Sequence, residues 1–183
     1  MSTEGTLDKG VSNAQISVNG NGYVQITNST IGQNGYNGIE IGLQNSVKTI
    51  LIDNVNFTSQ LSNNAISVFD TQDNAVLTIS NCTFEKCSNA LRLSNKSNNK
   101  LTVNFVNCTF GEWALGEYGG CVLCQDYTSA TAAAAQENNL FAKDKITINF
   151  INCWYNGKKI VVDNIADVAA TADDNQLIYV YTK

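Results

Sequence analysis

Leu77-Thr-Ile-Ser-Asn81-Cys-Thr-Phe84 and Val103-Asn-Phe-Val-Asn107-Cys-Thr-Phe110 are one pattern written twice. Three further segments carry it: Val24-Gln-Ile-Thr-Asn28-Ser-Thr-Ile31, Ile50-Leu-Ile-Asp-Asn54-Val-Asn-Phe57 and Ile148-Asn-Phe-Ile-Asn152-Cys-Trp-Tyr155. Successive asparagines of the pattern stand 26, 27, 26 and 45 residues apart. Self-similarity at a period of this size marks a repeat architecture, in which each unit buries its apolar face by stacking on its neighbours.

In each segment the apolar residues four and two positions before the Asn share one face of a strand, because side chains alternate with period two. After the Asn the apolar positions are the first and third, as in Val55 and Phe57, Cys82 and Phe84, Cys108 and Phe110. The phase changes at the Asn, so a bend is expected there. A second alternating run follows in most repeats: Gly38-Ile39-Glu-Ile41, Ala65-Ile66-Ser-Val68, Ala90-Leu91-Arg-Leu93 and Cys121-Val-Leu123. Each repeat thus offers at least two strands, joined by Asn, Gly and Ser turns that suit left-handed backbone angles.

Three repeat folds compete for this period. A leucine-rich repeat needs Leu-dominated columns and usually a helical return, whereas the inward columns here are Ile, Val, Phe and Cys, and Thr58 to Ala75 alternates. A left-handed β-helix runs on hexapeptides, and no six-residue pattern is present. The expected fold class is all-β: a right-handed parallel β-helix, a solenoid of about six coils at the ~4.8 Å strand spacing, with the asparagines forming a ladder.

The Ile-x-Asn-Cys-Thr-Phe type of repeat resembles the right-handed β-helix repeats of the pectate-lyase-like superfamily, over roughly residues 11 to 162. That superfamily includes polysaccharide lyases and hydrolases, and also bacteriophage tailspikes and other virion proteins. The resemblance therefore implies an architecture and leaves the activity open.

A chain of 183 residues suits one domain. Residues 1–10 are polar and without periodicity, and are expected to form an N-terminal arm to a β-helix domain spanning 11–183. The 45-residue gap exceeds a 26-residue coil by 19, which puts an insertion at 127–145. Its run Ser129-Ala-Thr-Ala-Ala-Ala-Ala-Gln-Glu137 suits a short helix or a loop. A C-terminal cap is expected over 163–183, where Asp163 to Asn175 cover the end coil and Gln176 to Lys183 supply a closing strand.

With 43% apolar and 15% charged residues the composition is globular, while the lack of proline and the wealth of asparagine call for a structural cause. A formal net charge of −5, without a compensating Lys/Arg cluster, excludes nucleic-acid binding as an expectation. No stretch approaches the roughly 18 consecutive apolar residues of a membrane span. The start, Met1-Ser-Thr-Glu-Gly-Thr-Leu-Asp-Lys-Gly10, lacks the basic and apolar regions of a signal peptide, so a chain used without export is expected.

The asparagine column Asn28, Asn54, Asn81, Asn107 and Asn152 is expected to be structural, its amides donating and accepting along the stack. Asn28, Asn56, Asn81, Asn95 and Asn107 each head a glycosylation sequon, but three of the five belong to the column and no export signal accompanies them. Cys82, Cys108 and Cys153 share one repeat position and are expected as a buried, reduced column. In-register Cβ atoms on parallel strands lie about 4.8 Å apart, beyond the usual ~3.5–4.5 Å of a disulfide. Cys121-Val-Leu-Cys124 is a lone C-x-x-C without a second pair or a histidine.

The sequence contains no histidine and one arginine, Arg92. Glu40, Ser67 and Arg92 are expected in one outward column, Asp53 on another strand, and the adjacent pair Asp173-Asp174 in the cap, so no carboxylate pair is placed for glycoside hydrolysis. No catalytic, cofactor-binding or metal-ligating residue is assigned, no cofactor is implied, and the chain is not expected to be an enzyme. Leu51, Val106 and Ile151 should face outward, with Trp113, Tyr118 and Trp154 nearby, as a surface for partner proteins.

These features, together with the resemblance, lead to the expectation of a non-catalytic structural protein of a viral, tailed-phage particle: a capsid decoration, fibre or tail component. It would bind other protein subunits or copies of itself, in a virion assembled in the host cytoplasm. The alternative is a glycan-binding or polysaccharide-cleaving β-helix.

Overall fold

The computed structural model of the chain describes residues 14–20, 22–32, 37–42, 47–58, 64–85, 89–93, 99–111, 121–127, 145–155, 157–161 and 178–182. These residues form β-strands and their connections, without a helix. The arm over 1–10, residues 128–144 of the insertion expected at 127–145 and residues 163–177 of the cap expected at 163–183 lie outside the described residues, as do Trp113 and Tyr118.

The strands build two sheets. Sheet I contains β1 (Ala14–Val18), β3 (Asn37–Ile41), β5 (Asn64–Val68), β8 (Asn89–Leu93), β11 (Cys121–Tyr127) and β15 (Ile178–Thr182), in that spatial order. Sheet II takes the strands between them: β2 (Tyr23–Gly32), β4 (Val47–Thr58), β6 (Thr71–Ser80) with β7 (Thr83–Glu85), β9 (Leu101–Val106) with β10 (Thr109–Phe110), and β12 (Ile146–Ile151) with β13 (Trp154–Tyr155). All these pairings are parallel, and the chain alternates between the sheets, so each strand lies beside the equivalent strand of the next repeat. The order is compatible with a parallel β-helix.

The repeat alignment is the physical register. Val24 pairs with Ile50, Ile50 with Leu77, Leu77 with Val103 and Val103 with Ile148. In sheet I, Ile39, Ile66, Leu91, Leu123 and Ile178 form one row. The closing strand expected near the C-terminus is β15, parallel to β11.

All five column asparagines, and Asn74, have positive φ, between 50° and 57°. One residue in the left-handed region turns the strand and exchanges its inner and outer faces, which is the phase change read in the sequence; Asn tolerates that region better than other residues with a Cβ. Gly42 meets the same demand where the chain leaves sheet I. Its φ is 71°, and a Cβ there would lie 1.9 Å from the Asp70 carbonyl oxygen. The absence of proline also follows, because a strand inside a parallel ladder uses its amides and proline has none to give.

The core is a set of columns. Phe57 stacks on Phe84 at 4.8 Å and Phe84 on Phe110 at 5.0 Å, with the ring planes nearly parallel in both cases. Phe105 and Phe150 form a second stack at 5.2 Å, and Phe105 meets Phe84 and Phe110 edge-on. Phe57, Phe84, Phe105 and Phe110 are fully buried. Each such side chain contributes about 2–3 kcal/mol of apolar burial.

One edge of sheet II is finished differently. After Cys153 the chain reverses through Gly157, φ 74°, and lays β14 (Lys158–Lys159) antiparallel on β13. The Ile160 amide donates to the Cys153 carbonyl at 2.9 Å, and the Ile160 side chain is buried. A short lysine-bearing strand of opposite direction blunts that edge against further pairing.

Candidate interaction surfaces

Polar side chains gather in two ladders. At the bend, Asn54 Nδ2 donates to Asn28 Oδ1 at 2.7 Å, Asn107 Nδ2 to Asn81 Oδ1 at 3.2 Å, and Asn152 Nδ2 to Asn107 Oδ1 at 2.9 Å. This is the expected ladder, with one break: Asn81 Nδ2 turns to Asp53 Oδ1 at 2.8 Å. Ser80 Oγ donates to the same oxygen at 2.6 Å. The Ser80 hydroxyl, followed by the Asn81 amide, holds the Asp53 carboxyl below its ordinary pKa. Two residues on, Thr30, Asn56, Thr83, Thr109 and Trp154 form an exposed row in register. Between this row and the Asn ladder runs a groove of about 400 Å³, lined by Asn28, Thr30, Asn54, Asn56, Asn81 and Thr83 with the strand at Ser29 and Val55.

The second ladder is buried in sheet I and was not anticipated. Asn64 is fully buried; its Nδ2 donates to Asn37 Oδ1 at 3.1 Å and lies 3.2 Å from Ser67 Oγ. Asn89 Nδ2 donates to Asn64 Oδ1 at 2.7 Å, Ser67 Oγ to Asn37 Oδ1 at 3.1 Å, and Asn37 Nδ2 to Glu40 Oε1 at 2.7 Å. Glu40, Ser67 and Arg92 do share a column, as expected. Their outward position does not expose them: Glu40 is 3% and Ser67 1% accessible, and Arg92 is half-buried. Glu40 and Ser67 are part of the interior polar network, whose hydrogen bonds offset the desolvation of burying amides and a carboxyl. A first-position Asn in Asn37-Gly, Asn64-Ala and Asn89-Ala was the signal available for this ladder.

Cys82, Cys108 and Cys153 are buried and free, one above another at the first position after the bend. Each thiol reaches a backbone carbonyl: Cys82 that of Ser80 at 3.1 Å, Cys108 that of Ile79 at 3.4 Å and Cys153 that of Phe105 at 3.4 Å. Cys108, hydrogen-bonded between Cys153 and Cys82 and buried, has its thiol pKa pushed up and stays protonated. Cys121 and Cys124 lie on β11, with Cys121 opposite Asn89; Cys87 lies outside the described residues. Among the described residues no three of His, Cys, Asp and Glu are grouped to hold a metal ion.

The outward apolar residues separate. Leu51 and Val106 are half-buried, whereas Ile151, opposite Val106, is 52% exposed and Trp154 is 41% exposed. These last two lie on either side of the Asn152 bend, and Trp154 ends the row in which Thr30, Asn56 and Thr83 line the groove. Asp53 is remote from Glu40, on the other sheet. No helix among the described residues is long and apolar enough to cross a membrane.

No protein-family model matches this sequence, and neither a curated protein nor a solved structure matches it.

Proposed function

We propose that the chain is a right-handed parallel β-helix that works as a non-catalytic structural subunit of a larger particle. The right hand follows from the general chirality of parallel crossovers. The single observation that carries the assembly reading is the pair Ile151 and Trp154 on either side of the Asn152 bend: two large apolar side chains, 52% and 41% exposed, with Trp154 ending the polar row Thr30, Asn56, Thr83 and Thr109. Aromatic and aliphatic anchors on a polar rim are the composition of a partner interface. The polar network supports the non-catalytic part, since Asp53, Asn64 and the thiols of Cys108 and Cys153 hydrogen-bond to neighbouring strands, and Glu40 to Asn37 of its own strand. The viral attribution rests on the resemblance of the Ile-x-Asn-Cys-Thr-Phe repeat to those of virion proteins.

The test is incorporation. Assembled particles from the producing system are banded on a density gradient and probed for the chain, beside Ile151→Asp and Trp154→Ser variants. The chain should band with particles, and each variant should fall at least about tenfold in occupancy while keeping its denaturation midpoint. A chain absent from every particle fraction would defeat the reading.

The groove favours one alternative, a glycan-binding β-helix, because its lining is uncharged and rich in amides and hydroxyls. A glycan array with the purified chain decides between them. Saturable binding lost on Asn56→Ala, with no particle association, would replace the structural reading.

A further inference from the structure

Among the described residues strand β2 ends sheet II on the side away from β14, and its inside–outside pattern is unusual. Val24 and Ile26 face the core before the bend, Ser29 and Ile31 after it, as their register partners Ile50, Ile52, Val55 and Phe57 do. Tyr23, Gln25, Thr30 and Gly32 occupy the outer positions. The pattern reads the same in both directions about the bond between Thr27 and Asn28.

That symmetry restricts what can pair with the free edge of β2. A straight strand alternates without interruption, so it matches inside to inside along one half and inside to outside along the other. Only a strand with the same phase change at the same place satisfies all ten residues of β2. The β12–β13 strands of another copy have that change, but β14 occupies the outer edge of β13. What remains is β2 itself, antiparallel, with Val24 opposite Ile31, Ile26 opposite Ser29 and Gln25 opposite Thr30 of the second copy.

Three observations support such a partner. The strand carries no charged residue, no proline and no bulge, the devices by which sheet edges are protected. Its core-facing Val24 and Ile26 are only half-buried, whereas Ile50 and Ile52 one strand in are 4% and 0% exposed. Tyr23 is 62% exposed at the corner, which antiparallel pairing sets against Gly32. At the end of the strand Gln15 Nε2 donates to the Gly32 carbonyl, at 2.7 Å. We infer that Tyr23–Gly32 is a self-association surface: two copies pair through β2, antiparallel, about a twofold axis at the Thr27–Asn28 bond.

This pairing rests on the reading of the chain as an assembly subunit and names one contact within it. Its test is a charge exchange at the exposed positions 25 and 30, which face each other across the axis. Sedimentation should give a dimer for the wild type. Gln25→Lys with Thr30→Lys sets like charges opposite each other twice and should weaken dimerisation by about tenfold or more. Gln25→Lys with Thr30→Glu sets opposite charges there and should restore it. Hydrogen exchange on the wild type provides a check without substitution, since protection of the 23–32 amides should rise with protein concentration. A monomeric wild type, a double-lysine variant that dimerises normally, failure of the Lys/Glu variant to recover, or concentration-independent exchange would each overturn the pairing. A monomeric wild type would leave the assembly reading standing, because the Ile151 and Trp154 variants test that on particles.

Discussion

The side-chain amide of Asn81 donates to Oδ1 of Asp53 at 2.8 Å and passes over Asn54, its neighbour in the column. A carboxylate accepts more strongly than an amide oxygen, and Ser80 Oγ, at 2.6 Å, completes the site. Among the described residues no donor reaches Asn54 Oδ1, so the ladder is two segments joined through an acid. Position 53 is where the other repeats carry Thr27, Ser80, Val106 and Ile151.

Asp53 should therefore make stability sensitive to acid. Its folded pKa lies below its ordinary value of 3.8, so its contribution is present above that value and is lost as pH falls through the folded one. Asp73, held low first by the Lys100 amide, acts with the same sign. The difference between wild type and Asp53→Asn isolates one from the other. Urea midpoints from pH 7 to 2.5 should favour wild type by up to about 1 kcal/mol at neutral pH, the discounted worth of hydrogen bonds to a solvent-facing carboxylate, and converge in acid. A constant difference would remove Asp53 as the cause.

At Asn107 the backbone and side-chain roles of a column asparagine can be separated. Its φ is 54°, and its amide links Asn81 to Asn152. Asn107→Gly keeps access to the left-handed region and loses two hydrogen bonds; Asn107→Ala loses both and adds about 1 kcal/mol of backbone strain. The order of stability should be wild type, Gly, Ala, with Ala down by about 2–3 kcal/mol. Equal stability of the two variants would mean that the positive φ is not what selects Asn.

The thiol column should be silent in the native state. Cys82, Cys108 and Cys153 are 1% exposed or less, and Cys108 is held protonated between its neighbours. Iodoacetamide at pH 8, followed by peptide mass analysis, should leave all three unmodified in native protein and modify all three in urea. Native labelling of Cys108 at the rate of an unfolded thiol would refute the buried column.

The strands, their parallel register, the bend at each Asn and the thiol column were legible because a repeat states each constraint several times: Val103 predicts the environment of Leu77 and Ile148; the end strand β15 was legible from its own run, Gln176 to Lys183. The burial of Glu40 and Ser67 was not. Alternation gives the sign of a position, inward or outward, and says nothing about whether an outward face is covered. The Asp53 break was hidden for a related reason, since residue types fix which atoms can bond but not which of two adjacent acceptors wins. The Ile151 and Trp154 exposure was legible in direction. Val106 lies between Ser80 and Ile151, whereas among the described residues no strand lies beyond Ile151.

The buried ladder gives the sharpest contrast with the exposed one. Asn64 is fully enclosed, and its hydrogen bonds include its backbone amide to Asn37 Oδ1 at 3.2 Å, its Nδ2 to Asn37 Oδ1 and Ser67 Oγ, and its Oδ1 from Asn89 at 2.7 Å. Asn64→Ala removes the side-chain bonds, among them the acceptor that Asn89 Nδ2 uses, and leaves a void in the interior. An unsatisfied buried donor costs about 1–3 kcal/mol, and the lost contacts add to it, so a loss of about 3–5 kcal/mol is expected. Asn107→Gly, which gives up bonds of similar length in contact with water, should cost about 1–2 kcal/mol. Asn64→Asp keeps the acceptor for Asn89 but must bury a charge or a proton, and should rise in stability as pH falls from 7 to 4, opposite in sign to Asp53. Urea denaturation of the three variants at both pH values measures all of this. If Asn64→Ala costs no more than Asn107→Gly, the interior ladder is not what joins the strands of sheet I, and the apolar columns beneath it carry that sheet alone.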